Sequence, residues 1–280
     1  NQYGAAREVF GEYLTVAAAT DARRADAEYY KAFCSLNLFH SDAEKQIEAF
    51  ITQNPAHPRA GTANYDLANF YYGEKNYKKA ATFYNKIEFG ALAQDQQRTA
   101  HFRWGYSLFN QRSLKEALDQ FNYNKTLGGE YGPASSYYAG FIEYSQGDYT
   151  NALIDLKRAG QNDAYSKVVP YLIANVYYRQ KNYDELISYA KEISSREDLT
   201  NKEEIALLSA EAYFKKTDYK NAYTGYQQYL QGREAKADKG VLLRAGYTAY
   251  TLDENESAIK YLKTSFADSD SIGFYSAYYL

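Results

Sequence analysis

Of the side chains most often used as metal ligands or as thiol and imidazole catalysts, the 280-residue sequence holds three histidines and one cysteine. His40, His57 and His101 are scattered. None has a His or Cys three or four residues away, the spacing that sets two ligands on one helix face. They read as surface or packing residues. Cys34 falls on an apolar helix face, out of helical register with His40, and reads as an inert buried thiol. A lone cysteine excludes an internal disulfide framework and a cysteine-based zinc site. Asp268-Ser269-Asp270, followed by Gly273, has the start of a calcium-loop pattern but lacks its later Glu, so a solvated linker is expected. The run from Gly128 to Pro133 is glycine-rich without the Lys and Ser/Thr of a phosphate-binding loop, and reads as a connection. No nucleophile, base and orienting group can be assembled. The expectation is a non-enzymatic protein with no cofactor and no metal.

Aromatic residues are the more informative chemistry. Tyrosine occurs 33 times and methionine not at all. Lys plus Arg is 32 and Asp plus Glu is 35, a net charge of −3 with the signs interleaved. That disfavours a nucleic-acid surface, which needs a basic stripe, and a polybasic membrane patch. No apolar run approaches the ~20 residues of a membrane span. With 45% hydrophobic residues a packed core is within reach, and with only four prolines helices can run nearly throughout. With no initiator Met and no signal-like apolar run, a processed or truncated chain is expected.

The elements that must position these tyrosines repeat. A small residue is followed nine positions on by a Tyr or Leu in most copies, and three further on by an Ala in most. The copies are Ala68/Tyr77/Ala80, Gly105/Leu114/Ala117, Gly140/Tyr149/Ala152, Ala174/Tyr183/Leu186, Ala210/Tyr219/Ala222 and Gly246/Asn255/Ala258. The period is 34 to 37 residues over six copies. Each copy shows two stretches of helical periodicity, such as Leu67/Ala68/Tyr71 and Ala80/Tyr84/Ile87. Between them lie polar turns: 73–76, 145–148, 179–182 and 215–218. A Gly or Asn in the turn can accept positive φ and end the first helix, and Asp148 and Asp218 can cap the second. The small residue and the Ala are expected where the two helices cross closely, Ala152 near Gly140.

This pattern resembles the tetratricopeptide repeat, a helix–turn–helix unit. With Gly61, Arg98, Pro133, Lys167, Glu203 and Lys239 as first residues, the family's small residue at position 8 is present in every copy. Its Ala at position 20 is replaced only at Leu186. Its aromatic at position 24 is Tyr84, Phe121 and Tyr226, but Leu156, Ala190 and Leu262 elsewhere. The resemblance implies an all-α, right-handed superhelical solenoid running through residues 1–280. The expected organisation is a truncated repeat's second helix at 1–22 and an irregular repeat at 23–60. Full repeats follow at 61–97, 98–132, 133–166, 167–202, 203–238 and 239–273, and 274–280 opens a further first helix. No polar capping helix is seen at either end, so further repeats of the same chain are expected beyond both.

In this family the first helices line a concave groove, and the resemblance places ligand-facing side chains there. At position 5 these are Tyr65, Phe102, Tyr137 and Tyr171. At position 9 they are Asn69, Tyr106, Phe141 and Asn175. Position 12 is aromatic in every full copy: Tyr72, Phe109, Tyr144, Tyr178, Phe214 and Tyr250. Part of this stripe must pack helix against helix. Asn175 is expected to offer its amide to a partner's backbone. Position 5 carries no Lys, and position 13 is basic only at Arg179 and Lys215, which speaks against a carboxylate clamp. The expected function is a scaffold binding a protein or peptide segment in the groove, without nucleic acid or membrane insertion. Alternatives are a glycan or cell-wall polymer stacked on the tyrosines, and an accessory array to an active domain elsewhere. Tyr- and Asn-rich arrays of this texture resemble bacterial envelope proteins, and that resemblance implies a periplasmic or envelope location.

Overall fold

The computed structural model describes residues 2–266 and 271–280. Among the described residues the secondary structure is helical, with sixteen α-helices, two short 3-10 turns and no strand. They are α1 (Gln2–Val16), α2 (Arg24–Asn37), α3 (Ala43–Gln53), α4 (Pro58–Gly73), α5 (Tyr77–Tyr84), α6 (Gln94–Asn110), α7 (Leu114–Asn124) and α8 (Tyr131–Gln146). There follow α9 (Tyr149–Ala159), α10 (Val169–Arg179), α11 (Tyr183–Glu192), α12 (Lys202–Lys215), α13 (Tyr219–Leu230), α14 (Lys239–Thr251), α15 (Asn255–Ser265) and α16 (Ser271–Tyr279). Helices α2 to α15 form consecutive helix–turn–helix pairs, with α1 and α16 single. The chain forms two compact units, Asn1–Tyr138 and Ala139–Leu280. None of the described helices is long and apolar enough to cross a membrane.

The turns show why the pairs form. Position 15 has positive φ in all six full copies: Lys75, Arg112, Gly147, Lys181, Thr217 and Asp253, at 57° to 83°. Its amide bonds the carbonyl of position 12, and the next amide bonds that of position 11, as in Lys75 N to Tyr72 O (3.0 Å) and Asn76 N to Tyr71 O (2.9 Å). This is the Schellman closure, which satisfies the last carbonyls of the first helix. The expectation that Gly or Asn would take the positive φ is corrected here. Only Gly147 among the six is glycine. Position 16 then starts the second helix: Asn76, Asp148 and Asp218 accept from the amide three residues on, at 3.2 to 3.3 Å. Phe39 plays the left-handed role in the irregular pair α2–α3.

The close crossing is one turn further along than expected. Ala152 is fully buried, but the residue facing Gly140 is Leu156 at position 24, whose Cγ would lie 2.8 Å from an added Cβ. Gly105 likewise faces Phe121 and Gly246 faces Leu262. The backbone nitrogen of Leu156 also lies 3.0 Å from that Cβ position, and that of Leu262 lies 3.3 Å from the equivalent one at Gly246, so the two helices cross at position 24 itself. In the first unit the core gathers Tyr29, Phe50, Leu67, Phe83 and Tyr84, and in the second it forms smaller clusters around Leu186 and Tyr226. Helix α16 begins three residues before the expected 274. Asp268-Ser269-Asp270 lies outside the described residues.

Candidate functional site

The three histidines occupy packing or surface positions. His57 caps α4, its Nδ1 accepting from Arg59 N at 3.2 Å. His101 is sandwiched between the rings of Phe89 (4.3 Å) and Tyr123 (3.9 Å), and burial lowers its pKa. His40 is exposed. Cys34 is buried, and burial raises its thiol pKa. Among the described residues no three His, Cys, Asp or Glu side chains converge to hold a metal.

The aromatic stripe of the first helices is built from the turn outward. The position-12 ring, fixed by the Schellman turn, meets the position-17 tyrosine that opens the second helix of its own pair. Tyr72–Tyr77, Tyr144–Tyr149, Tyr178–Tyr183 and Phe214–Tyr219 all have centroids 5.9 to 6.1 Å apart. A position-9 tyrosine from the next repeat closes over such a pair. Tyr106 lies 6.0 Å from Tyr72 and 5.5 Å from Tyr77, and Tyr247 lies 6.1 Å from Phe214 and 5.7 Å from Tyr219. Spacings and tilts of this kind are favourable for aromatic quadrupoles. Phe109 meets Tyr138 at 5.1 Å, and Phe102 stacks on Tyr131 at 4.8 Å. Tyr250 is 51% exposed, whereas Tyr72, Phe109, Tyr144, Tyr178 and Phe214 are half-buried. Tyr65, Tyr137, Phe141 and Tyr171 are also half-buried. Burial raises the Tyr137 and Tyr178 phenol pKa values, and that of Tyr72 to about 12, so these rings stay neutral hydrogen-bonding tips. The stripe is thus both packing and surface.

The asparagines are less available than expected. Asn175 Nδ2 donates to its own Tyr171 carbonyl at 2.8 Å. Asn69 Oδ1 accepts from Tyr84 Oη at 2.9 Å and from Arg103 Nη1 at 2.7 Å. Sequence reasoning missed this junction and its counterpart, in which Arg244 Nε donates to Glu211 Oε1 at 2.7 Å beside buried Tyr226. In both, position 9 of one repeat meets the arginine at position 6 of the next, over a position-24 tyrosine. Where position 6 is aromatic, the same place is filled by rings: Tyr138 sits 5.5 Å from Tyr106 and 5.3 Å from Phe121. The signal in the residues is partial, since Arg103 and Arg244 follow polar Asn69 and Glu211 whereas Leu208 follows Asn175, and only the packing shows which pairs touch. Arginines also edge the stripe. Arg103 lies over the Tyr72 ring at 5.1 Å, and Arg179 bonds Tyr144, which raises the guanidinium pKa.

The C-terminal part of a TPR repeat-containing protein from Cytophaga hutchinsonii matches with a TM-score of 0.54 at 17% identity, over 72% of this chain and 78% of that one. The fold is that of a tetratricopeptide array. A tetratricopeptide repeat protein from Parabacteroides merdae aligns over 92% of this array and 99% of its own chain, at 15% identity and a TM-score of 0.47. No protein-family model matches the sequence of the array, and no curated protein matches it. None of these similarities supports an envelope location.

Proposed function

We propose that the array is a non-catalytic interaction scaffold, and that it binds a peptide or protein segment along the aromatic face of its first helices. The supporting observation is the position-12 ring. It is aromatic in every full repeat, follows the same turn geometry in each, is packed against a position-17 tyrosine in four of the six, and yet keeps an exposed edge. Rigid, half-exposed rings bury much area on binding at little entropic cost and keep a hydroxyl for a backbone partner. Arg103 and Arg179 beside the rings add donors for a carbonyl or carboxylate.

The test starts from peptides selected against the array from a displayed library, so that a defined ligand is in hand. Tyr144→Ala with Tyr178→Ala should weaken the selected peptide by on the order of 2 kcal/mol or more, while the far-UV spectrum stays helical. Exposed Lys115→Ala with Glu116→Ala on a second helix should leave affinity unchanged. Equal affinity in the tyrosine variant removes the site from this face. Binding of oligosaccharides but not of peptides would replace the proposal with the glycan alternative.

A further inference from the structure

Away from the aromatic face, the second unit has two equivalent grooves between neighbouring second helices. One lies between α9 and α11 over α10, the other between α11 and α13 over α12. Both place a position-25 lysine over a position-11 tyrosine of the next repeat: Lys157 over Tyr177 at 5.7 Å and Lys191 over Tyr213 at 5.8 Å. They differ at position 23. The first groove carries Tyr189, and the second carries Gly225. In the remaining full copies position 23 is Phe83, Gln120, Asp155 and Tyr261, so glycine occurs there once. Gly225 lets α13 ride directly on Ala210, whose Cβ would stand 2.8 Å from an added Cβ. It also leaves no side chain where Tyr189 stands in the neighbouring groove.

The result is a notch of about 230 Å³, walled by Ala190, Ile193, Ile205, Ala210 and Tyr213. Its charge is one-sided. Lys191 and Lys202 line it and no Asp or Glu does, whereas Glu185 and Glu192 line the neighbouring groove. Lys202 pairs at 2.7 Å with Glu197, whose side chain is 87% exposed. Such an exposed pair is worth little and yields readily to a better-placed anion. The volume exceeds the ~150 Å³ cavity that accepts benzene and falls below the ~300 Å³ of drug-sized pockets.

We propose that the notch at Gly225 binds a compact apolar carboxylate, a free small acid with one ring or a short alkyl chain. The apolar part lies against Ala190, Ile205 and Gly225, and the carboxylate meets the two ammonium groups at the rim. The site is independent of the aromatic face.

Amide NMR titration of the whole chain with phenylbutyrate, and with the neutral phenylbutanol, tests this. Saturable shifts are expected at α11–α13, with the acid binding at least about tenfold tighter than the alcohol. Lys191→Gln with Lys202→Gln should erase that difference and keep the fold. Ser209→Ile, which borrows the residue found at the equivalent Ile173, should fill the notch and abolish the shifts. The proposal is overturned if no saturable shift occurs at α11–α13, if acid and alcohol bind equally, or if the Ser209→Ile protein binds as wild type does.

Discussion

At the scale of single residues, the left-handed turn position carries a measurable cost. Thr217, a β-branched residue, holds φ at 60° in an exposed turn, and Gly147 holds 83° in the equivalent one. A non-glycine residue in this region costs roughly 1–2 kcal/mol, partly offset because glycine loses more chain entropy on folding. Thr217→Gly should therefore stabilise by about 0.5–1 kcal/mol, and Gly147→Thr should destabilise by a similar amount, both read from denaturant midpoints. His101 provides a second residue-scale outcome. Its folded pKa lies below the ordinary value of 6.5 because burial penalises the cation. The unfolded chain then binds its proton more readily, so stability is full above that value and falls as the pH drops below it. Melting temperature should decrease between neutral pH and about 5.5. His101→Phe, which keeps a ring between Phe89 and Tyr123, should flatten that decrease.

At the scale of elements, the junctions between repeats divide into polar and apolar kinds. Glu211 is 8% exposed at its side chain and Arg244 33%. Removing one partner strands the other, whereas removing both need not cost much. Glu211→Leu alone should lose on the order of 2–3 kcal/mol, less than a fully buried pair because Arg244 keeps some solvent. Glu211→Leu with Arg244→Leu makes both positions apolar, as they are at Phe141 and Leu172 in the sequence, so the double variant should be clearly more stable than the summed singles. Additive losses in that cycle would mean the pair is not coupled.

At the scale of the whole molecule, stability in a repeat array is close to a sum over neighbours. Gly246→Ala puts a Cβ 2.6 Å from Leu262 Cγ, and overpacking of this kind costs ~1–3 kcal/mol. Hydrogen exchange should then show early opening in α14–α16, with protection in residues 2–138 unchanged. Uniform loss of protection would contradict nearest-neighbour behaviour.

The all-α class, the paired helices and their period were legible in the residues, because helical periodicity and turn chemistry are local and repeat in register. So were the cap roles of Asp148 and Asp218 and the identity of the position-12 rings. What needed the tertiary structure was everything decided between repeats. Spacing alone placed Ala152 near Gly140, but the angle at which the two helices cross brings Leu156, one turn on, to that spot. The resemblance offered Asn175's amide to a partner, yet the Tyr171 carbonyl one turn back takes a hydrogen from it. The turns were assigned to Gly or Asn, but the Schellman closure and the paired helices hold Lys75, Arg112 and Thr217 in the left-handed region regardless of type. The junction of Asn69 with Arg103 and the notch at Gly225 join residues roughly one period apart. Local pattern says which residues recur; only the packing of one repeat on the next decides which of them meet and which are left with room for a ligand.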